Sequence, residues 1–172
     1  RSLEPIAGDK ESPANAALTR LLNDNSRSVR VQAAWSLRSS LDTNSTAGKE
    51  LIEYMKYNSD QPAGLLQIGV FYFDRGESDK AIDALKKAIS WETNSAPLHY
   101  ALAICYSAIG YAQGAVKELE TACQLAPKEA EYKFKLGLAY NETDQLQKAI
   151  AMFEEAVKLD PEFDQAFYNL GL

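Results

Sequence analysis

The chain has 172 residues, 46% of them apolar and 24% charged, a balance that supports a packed core and excludes wholesale disorder. Its net charge is −6 and its pI near 4.9, a poor match for phosphate backbones or anionic bilayers, so no nucleic acid is expected as a partner. No apolar run approaches the ~18 residues of a membrane helix, and no membrane partner is expected either.

Residues 1–11 mix proline, glycine and charge without any period and are expected to form a loose leader. Ser12 followed by Pro13 is a helix start, and Ala17, Leu18, Leu21 and Leu22 give that helix one apolar face. Asn23, Asp24 and Asn25 break it. Asn25 or Ser26 is expected to cap a second helix with Val29, Ala33, Ala34 and Leu37 inward and Trp35 beside them. A turn over residues 42–46 leads to a third helix, roughly 46–57, with Leu51, Ile52 and Met55 inward. Asn58, Ser59 and Asp60 end it, and Asp60 is expected to cap the helix that follows.

The order of leucines, Asp24, Val29, Arg30 and alanines from Leu18 to Leu37 is similar to a HEAT repeat. That resemblance implies a helical hairpin whose Asp24 and Arg30 tie the turn to the second helix. One hairpin cannot bury its own apolar face, so it is expected to cap the N-terminal end of a stacked array. Arg27, Arg30 and Arg38 fall within about 80° of one another at 100° per residue. A solvated or turn-bonded face is expected there rather than an anion site.

From Pro62 the sequence repeats every 34 residues without insertion or deletion, with first positions at Pro62, Ala96, Ala130 and Asp164. Position 7 is Ile68, Leu102, Leu136 and Leu170; position 8 is Gly69, Ala103, Gly137 and Gly171. Position 11 is Tyr72, Tyr106 and Tyr140, and position 24 is Leu85, Leu119 and Phe153. Alanine holds positions 20 and 27 throughout. Small residues that let helices approach, set among bulky ones that fill the gaps, describe paired antiparallel helices. The spacing predicts helices at 62–75 and 78–91, 96–109 and 112–126, 130–143 and 146–159, then one starting at 164, with turns at Gly76, Gly110 and Asp144. Phe167 and Leu170 are expected to dock on the 146–159 helix. No stretch alternates with period two, so no sheet is expected.

This pattern resembles the tetratricopeptide repeat. The resemblance implies an all-α fold: a right-handed superhelical solenoid of antiparallel helix pairs, preceded by the HEAT-like helical hairpin. The expected organisation is a leader at 1–11, the hairpin and a linking helix at 12–61, and repeats at 62–95, 96–129 and 130–163 with the start of a fourth at 164–172. A chain opening at Arg1 and stopping inside a repeat reads as a piece of a longer protein, which leaves the compartment open.

Chemistry is sparse. The single histidine, His99, lies six residues from Cys105, about 120° around a helix, which disfavours a dyad. Cys105 and Cys123 are expected as buried free thiols. No nucleophile, metal or phosphate motif occurs, so the chain is expected not to be an enzyme and to hold no cofactor or metal. In the family resembled, positions 2, 5, 9, 12 and 13 of each first helix face a concave groove. Here they supply Leu66, Val70, Phe73, Tyr100, Ile104, Phe134, Leu138 and Tyr168, with Asp74 and Glu142 at the rim. The Lys, Arg and Asn that clamp a terminal carboxylate in chaperone-binding members are missing from positions 5 and 9. At roughly 50 Å² open per side chain, such a groove offers about 400 Å² of apolar surface. An apolar peptide or amphipathic helix of a partner protein is the expected occupant, with coverage by the same polypeptide as the other expectation. Contacts end to end between copies are a further one.

The hairpin, Glu53-Tyr54, and the run Asn58-x-Asp60-x-Pro62 ahead of the repeats look like the C-terminal part of exported multihaem c-type cytochromes. That resemblance implies a periplasmic docking tail that packs against its own redox domain; without it a cytoplasmic protein is expected. No CxxCH motif is present to attach a haem.

Overall fold

A computed structural model describes residues 12–171. Among them are ten α-helices and no strand. Three N-terminal helices, α1 (Pro13–Leu21), α2 (Arg27–Ser36) and α3 (Thr46–Tyr57), precede the repeats. Then come α4 (Pro62–Asp74) and α5 (Ser78–Trp91), α6 (Ala96–Ala108) and α7 (Ala112–Leu125), α8 (Ala130–Glu142) and α9 (Leu146–Leu159), and finally α10 (Asp164–Leu170). Consecutive helices pack antiparallel into an all-α solenoid, and the repeat helices end within one residue of where the period places them. The expected leader lies outside the described residues.

The turns explain that accuracy. Gly76, Gly110 and Asp144 all have left-handed backbone, with φ of 74°, 76° and 58°. The next N–H then donates back to the position-11 carbonyl, Glu77 to Tyr72 at 2.9 Å, Tyr111 to Tyr106 at 2.9 Å and Gln145 to Tyr140 at 2.8 Å. This six-residue closure satisfies the carbonyls that a helix end leaves free. None of α4 to α10 has a side-chain hydrogen bond at its N-cap, so packing rather than capping holds the repeats.

Between the helices of a pair, position 24 sits on position 8. A Cβ built on Gly69 would lie 2.8 Å from Leu85 Cγ, and one on Gly137 would lie 2.6 Å from the Phe153 ring. Ala81, Ala88, Ala115, Ala122 and Ala156 are fully buried at the helix contacts. Among the described residues the core falls into three clusters: one centres on Leu85 and Leu98, a second on Leu119, Phe134 and Phe153, and a third on Leu51 and Phe71, with Tyr106 packed against both of the first two. Ala166 of α10 is fully buried and Leu170 packs on the second cluster, while Phe167, expected inward, is only partly covered.

The N-terminal helices depart more from expectation. Ser12 caps α1 through Asn15 N–H at 3.2 Å, but none of the residues of α1 is buried, and Leu21 is 39% exposed. Ile52, expected inward, is 38% exposed, because Leu51 and Met55 already fill the inner face of α3. Asp60 does not cap α4; the cap residue is Gln61, without a side-chain bond. Of the three arginines, Arg27 and Arg30 face α3 and Arg38 lies apart from them. Arg27 contacts Glu53, Arg30 makes a bidentate pair with Glu50, and Arg38 is buried against Asp74. Arg30 also donates to the Asp24 and Asn25 carbonyls at 2.7 and 3.1 Å. The turn is thus tied to α2 as expected, through backbone oxygens instead of the Asp24 carboxylate. That carboxylate accepts from Ser26 N–H at 2.7 Å.

Arg38 and Asp74 join the N-terminal helices to the repeats. Their side chains are each 8% exposed, with Nε and Oδ2 2.5 Å apart. Arg75 reinforces the joint by donating to the Arg38 and Leu41 carbonyls, both at 3.0 Å. At Gly64 the loop after α3 lies directly on α4: an added Cβ would fall 1.8 Å from the Asn58 carbonyl oxygen.

Candidate functional site

The first helices of the three repeats, α4, α6 and α8, bring Tyr100 and Phe134 from position 5, Val70 and Ile104 from position 9 and Phe73 from position 12 to one side. A cavity of about 540 Å³ opens there. Val70, Phe73, Tyr100, Ile104 and Phe134 line it, five of the eight residues expected in the groove. Its size falls within the range of ligand pockets.

The other three lie elsewhere. Leu66 packs partly buried on the Leu85 cluster. Leu138 and Tyr168 line a shallower adjoining depression, reached past Phe134 and Lys135, in which Tyr168 is 84% exposed. Two of the five lining residues are also core. Tyr100 is 7% exposed and stacks on Tyr132 with ring centres 4.6 Å apart; Phe134 is 4% exposed between Phe153 and Phe163. The accessible apolar floor is therefore Val70, Phe73 and Ile104, less surface than eight open side chains would give.

The sequence reasoning missed the polar part of the cavity. Glu131 and Gln165 line it from position 2, a groove-facing position whose occupants were not singled out. Lys135, Asp160 and Phe163 also contribute, the last two from the turn between α9 and α10, where helix periodicity gives no signal. Asp74 lines the cavity too, but it is held by Arg38 and is not a free rim charge. Burial pushes its carboxyl above the usual range, against the pull of Arg38. Glu142 is exposed and lines no part of this cavity.

Tyr100 donates its phenolic hydrogen to Glu131 at 2.5 Å. Burial first, and Glu131 second, raise the phenol far above its ordinary value, so it remains a donor. Tyr140 is held likewise, donating to Glu120 at 2.7 Å. His99 is not near-paired with Cys105. Its Nδ1 lies 2.6 Å from Glu118 and its Nε2 donates to the Thr93 carbonyl at 3.0 Å, tying α6 to α7 and to the preceding turn. Cys105 lies in the cavity wall, and burial pushes its thiol up to about 12; Cys123 is raised to about 11. Both are free thiols without nucleophilic character. Among the described residues there is no cluster of His, Cys, Asp and Glu fit to hold a metal, and no helix long and apolar enough to cross a membrane.

A second cavity, about 580 Å³, lies between α2, α3 and α4, lined by Trp35, Tyr54, Gln32 and Gln67 among others. Its charged residue, Arg27, contacts Glu53.

Comparison with known proteins agrees with this fold. The family model described as "Tetratricopeptide repeat" matches residues 72–137, and one described as "TPR repeat" matches 138–172. A crystal structure of MamA superposes with a TM-score of 0.68 at 30% identity, over 78% of each chain. MamA from Desulfovibrio magneticus RS-1 (residue 41 to its end) matches at 25% identity and TM-score 0.66, over 95% of this chain and 83% of that one. The first TPR of Spaghetti (RPAP3), bound to the HSP90 peptide SRMEEVD, shares the fold at 23% identity and TM-score 0.63, over 66% and 90%. A comparison with curated proteins gave no match. The second MamA match covers so much of the chain that it extends into the N-terminal helices, and no comparison supports a HEAT repeat there or a cytochrome tail. The 34-residue period, the repeated turn closure and the two family matches agree: this chain belongs to the tetratricopeptide repeat family.

Proposed function

We propose that the chain is a non-catalytic interaction module that takes a peptide or helix of a partner protein into its concave cavity. Its working units are the repeats at 62–95, 96–129 and 130–163 with the fourth beginning at 164. The observation that carries this reading is the convergence of Val70, Phe73 and Ile104 with the buried Tyr100 and Phe134 on one cavity of about 540 Å³. Apolar side chains held on rigid helices present a preformed surface, and ordering only the incoming segment limits the entropy lost on binding. The repeat fold is one that neighbours such as the RPAP3 domain use to hold a peptide.

Tyr100 and Phe134 are too deeply built into the core to serve as test positions. Phe73 is suitable, since position 12 is Ser107 in the next repeat and Phe73→Ser keeps a residue the fold already accommodates. Peptides selected on the protein from a random displayed library are to be measured by fluorescence anisotropy. Loss of a central aromatic contact should cost about 2 kcal/mol, roughly thirtyfold in Kd, with an unchanged helical spectrum. Equal affinity for folded Phe73→Ser would remove the cavity from the binding reaction.

A further inference from the structure

The cavity carries charge of predominantly one sign. Three carboxylates line it, Asp74, Glu131 and Asp160, against one lysine, Lys135. Arg38 answers Asp74 from within the protein. Among the described residues, neither Glu131 nor Asp160 takes part in an ion pair. Each is nonetheless held in place. Glu131 Oε1 accepts from Tyr100, and Asp160 Oδ1 accepts from Glu162 N–H at 3.0 Å. In both groups the second carboxylate oxygen makes no hydrogen bond among the described residues. Two oriented carboxylates without an ion-pair partner, against the single cavity lysine Lys135, therefore stand beside an apolar floor in a protein whose net charge is −6.

Resting on the groove reading above, we infer that the partner segment is cationic as well as apolar. It carries a Lys or Arg that meets Glu131 and Asp160, close in sequence to a large apolar side chain that covers Phe73 and Ile104. An acidic segment of the kind bound by the RPAP3 neighbour, SRMEEVD, would set carboxylate against carboxylate here. Like charges brought together at an interface reject a partner, and opposite charges steer it in and fix its register. Tyr100 shares in this selection. Its hydroxyl holds the Glu131 carboxylate on the cavity wall and cannot itself supply a positive charge.

The test uses random linear peptides displayed on phage and panned on the whole 172-residue chain. Sequences pairing Lys or Arg with Phe, Leu or Trp should be enriched. Their affinity should fall about tenfold in Glu131→Gln/Asp160→Asn, taking roughly threefold for each partly exposed pair. Both substitutions keep the oxygen that accepts from Tyr100 or from Glu162. Affinity for wild type should also weaken as salt is raised, and more steeply than for the double variant.

Enriched peptides that are neutral or acidic, or basic peptides that bind the double variant equally well, would overturn the charge inference. In either case a loss of binding in Phe73→Ser would leave the groove reading standing. Binding that survives both Phe73→Ser and the double variant, or no enrichment at all, defeats both.

Discussion

Removing Asp74 should uncouple the N-terminal helices from the repeats. Asp74→Ala leaves Arg38 buried at 7% exposure, with its Nε facing no other acceptor. Deleting one partner of a buried ion pair typically costs 3–5 kcal/mol, and two features put this one near the low end, at about 3 kcal/mol. Arg38 keeps its bond to the Trp35 carbonyl at 3.0 Å and its place over the Trp35 ring at 4.7 Å. Burial also raises the Asp74 carboxyl, so the ionised group is incompletely compensated and its removal relieves some of that cost. The stability linked to Asp74 protonation is complete below the ordinary aspartate range and is lost as pH rises through the raised value. The assay is urea unfolding followed by Trp35 emission in a Trp91→Phe background, alongside helical circular dichroism. In an array whose units contact only neighbours, the Trp35 transition should move first, by roughly 1–3 M urea, while most helical signal persists. Arg38→Met with Asp74→Leu removes both charges and should recover most of the loss. A single variant within about 1 kcal/mol of wild type would refute the reasoning, as would a double variant no better than the single.

Gly137→Ala should destabilise by about 1–3 kcal/mol, since its Cβ would press on the Phe153 ring. Adding Phe153→Leu should restore stability in denaturant melts, because Ala103 already faces Leu119 at the same two repeat positions. Glu50 is held below the usual glutamate range, chiefly by its hydrogen bonds to Arg30. Its contribution is therefore present above that range and lost as pH falls through the lowered value, and Glu50→Gln should flatten the acid limb of the Trp35 unfolding midpoint. Cys105 and Cys123, with thiols raised to about 12 and 11, should react with a disulfide reagent only on unfolding. Rapid labelling of native protein would contradict their burial.

The repeats were legible because a single period reports three things at once. Tyr72, Tyr106 and Tyr140 mark the closure, Gly76, Gly110 and Asp144 mark the left-handed turn, and alanines mark the helix contacts. Helix boundaries follow almost without freedom. The N-terminal helices have no second copy to calibrate them, so the inward face of α3 was drawn too wide at Ile52, and Arg30 was assigned the wrong part of Asp24. At the site, periodicity located Val70, Phe73 and Ile104 but could not say how deep Tyr100 and Phe134 would sink. That depth depends on Tyr132, Phe153 and Phe163, partners from two other helices and a turn. Glu131 was within reach, since position 2 faces the groove; Asp160 was not, because it belongs to a loop that only tertiary contact brings to the cavity.

The seat of Asn58 on Gly64 has a mechanical consequence. Side chains at a joint can yield by changing rotamer, but a carbonyl against a bare Cα has no such slack. Bending at that junction must displace main chain, so force applied to α3 passes into α4 with little loss. Within the pairs α4–α5 and α8–α9 the bare Cα atoms of Gly69 and Gly137 meet the Leu85 and Phe153 side chains instead, and those contacts keep the slack that the α3–α4 junction lacks.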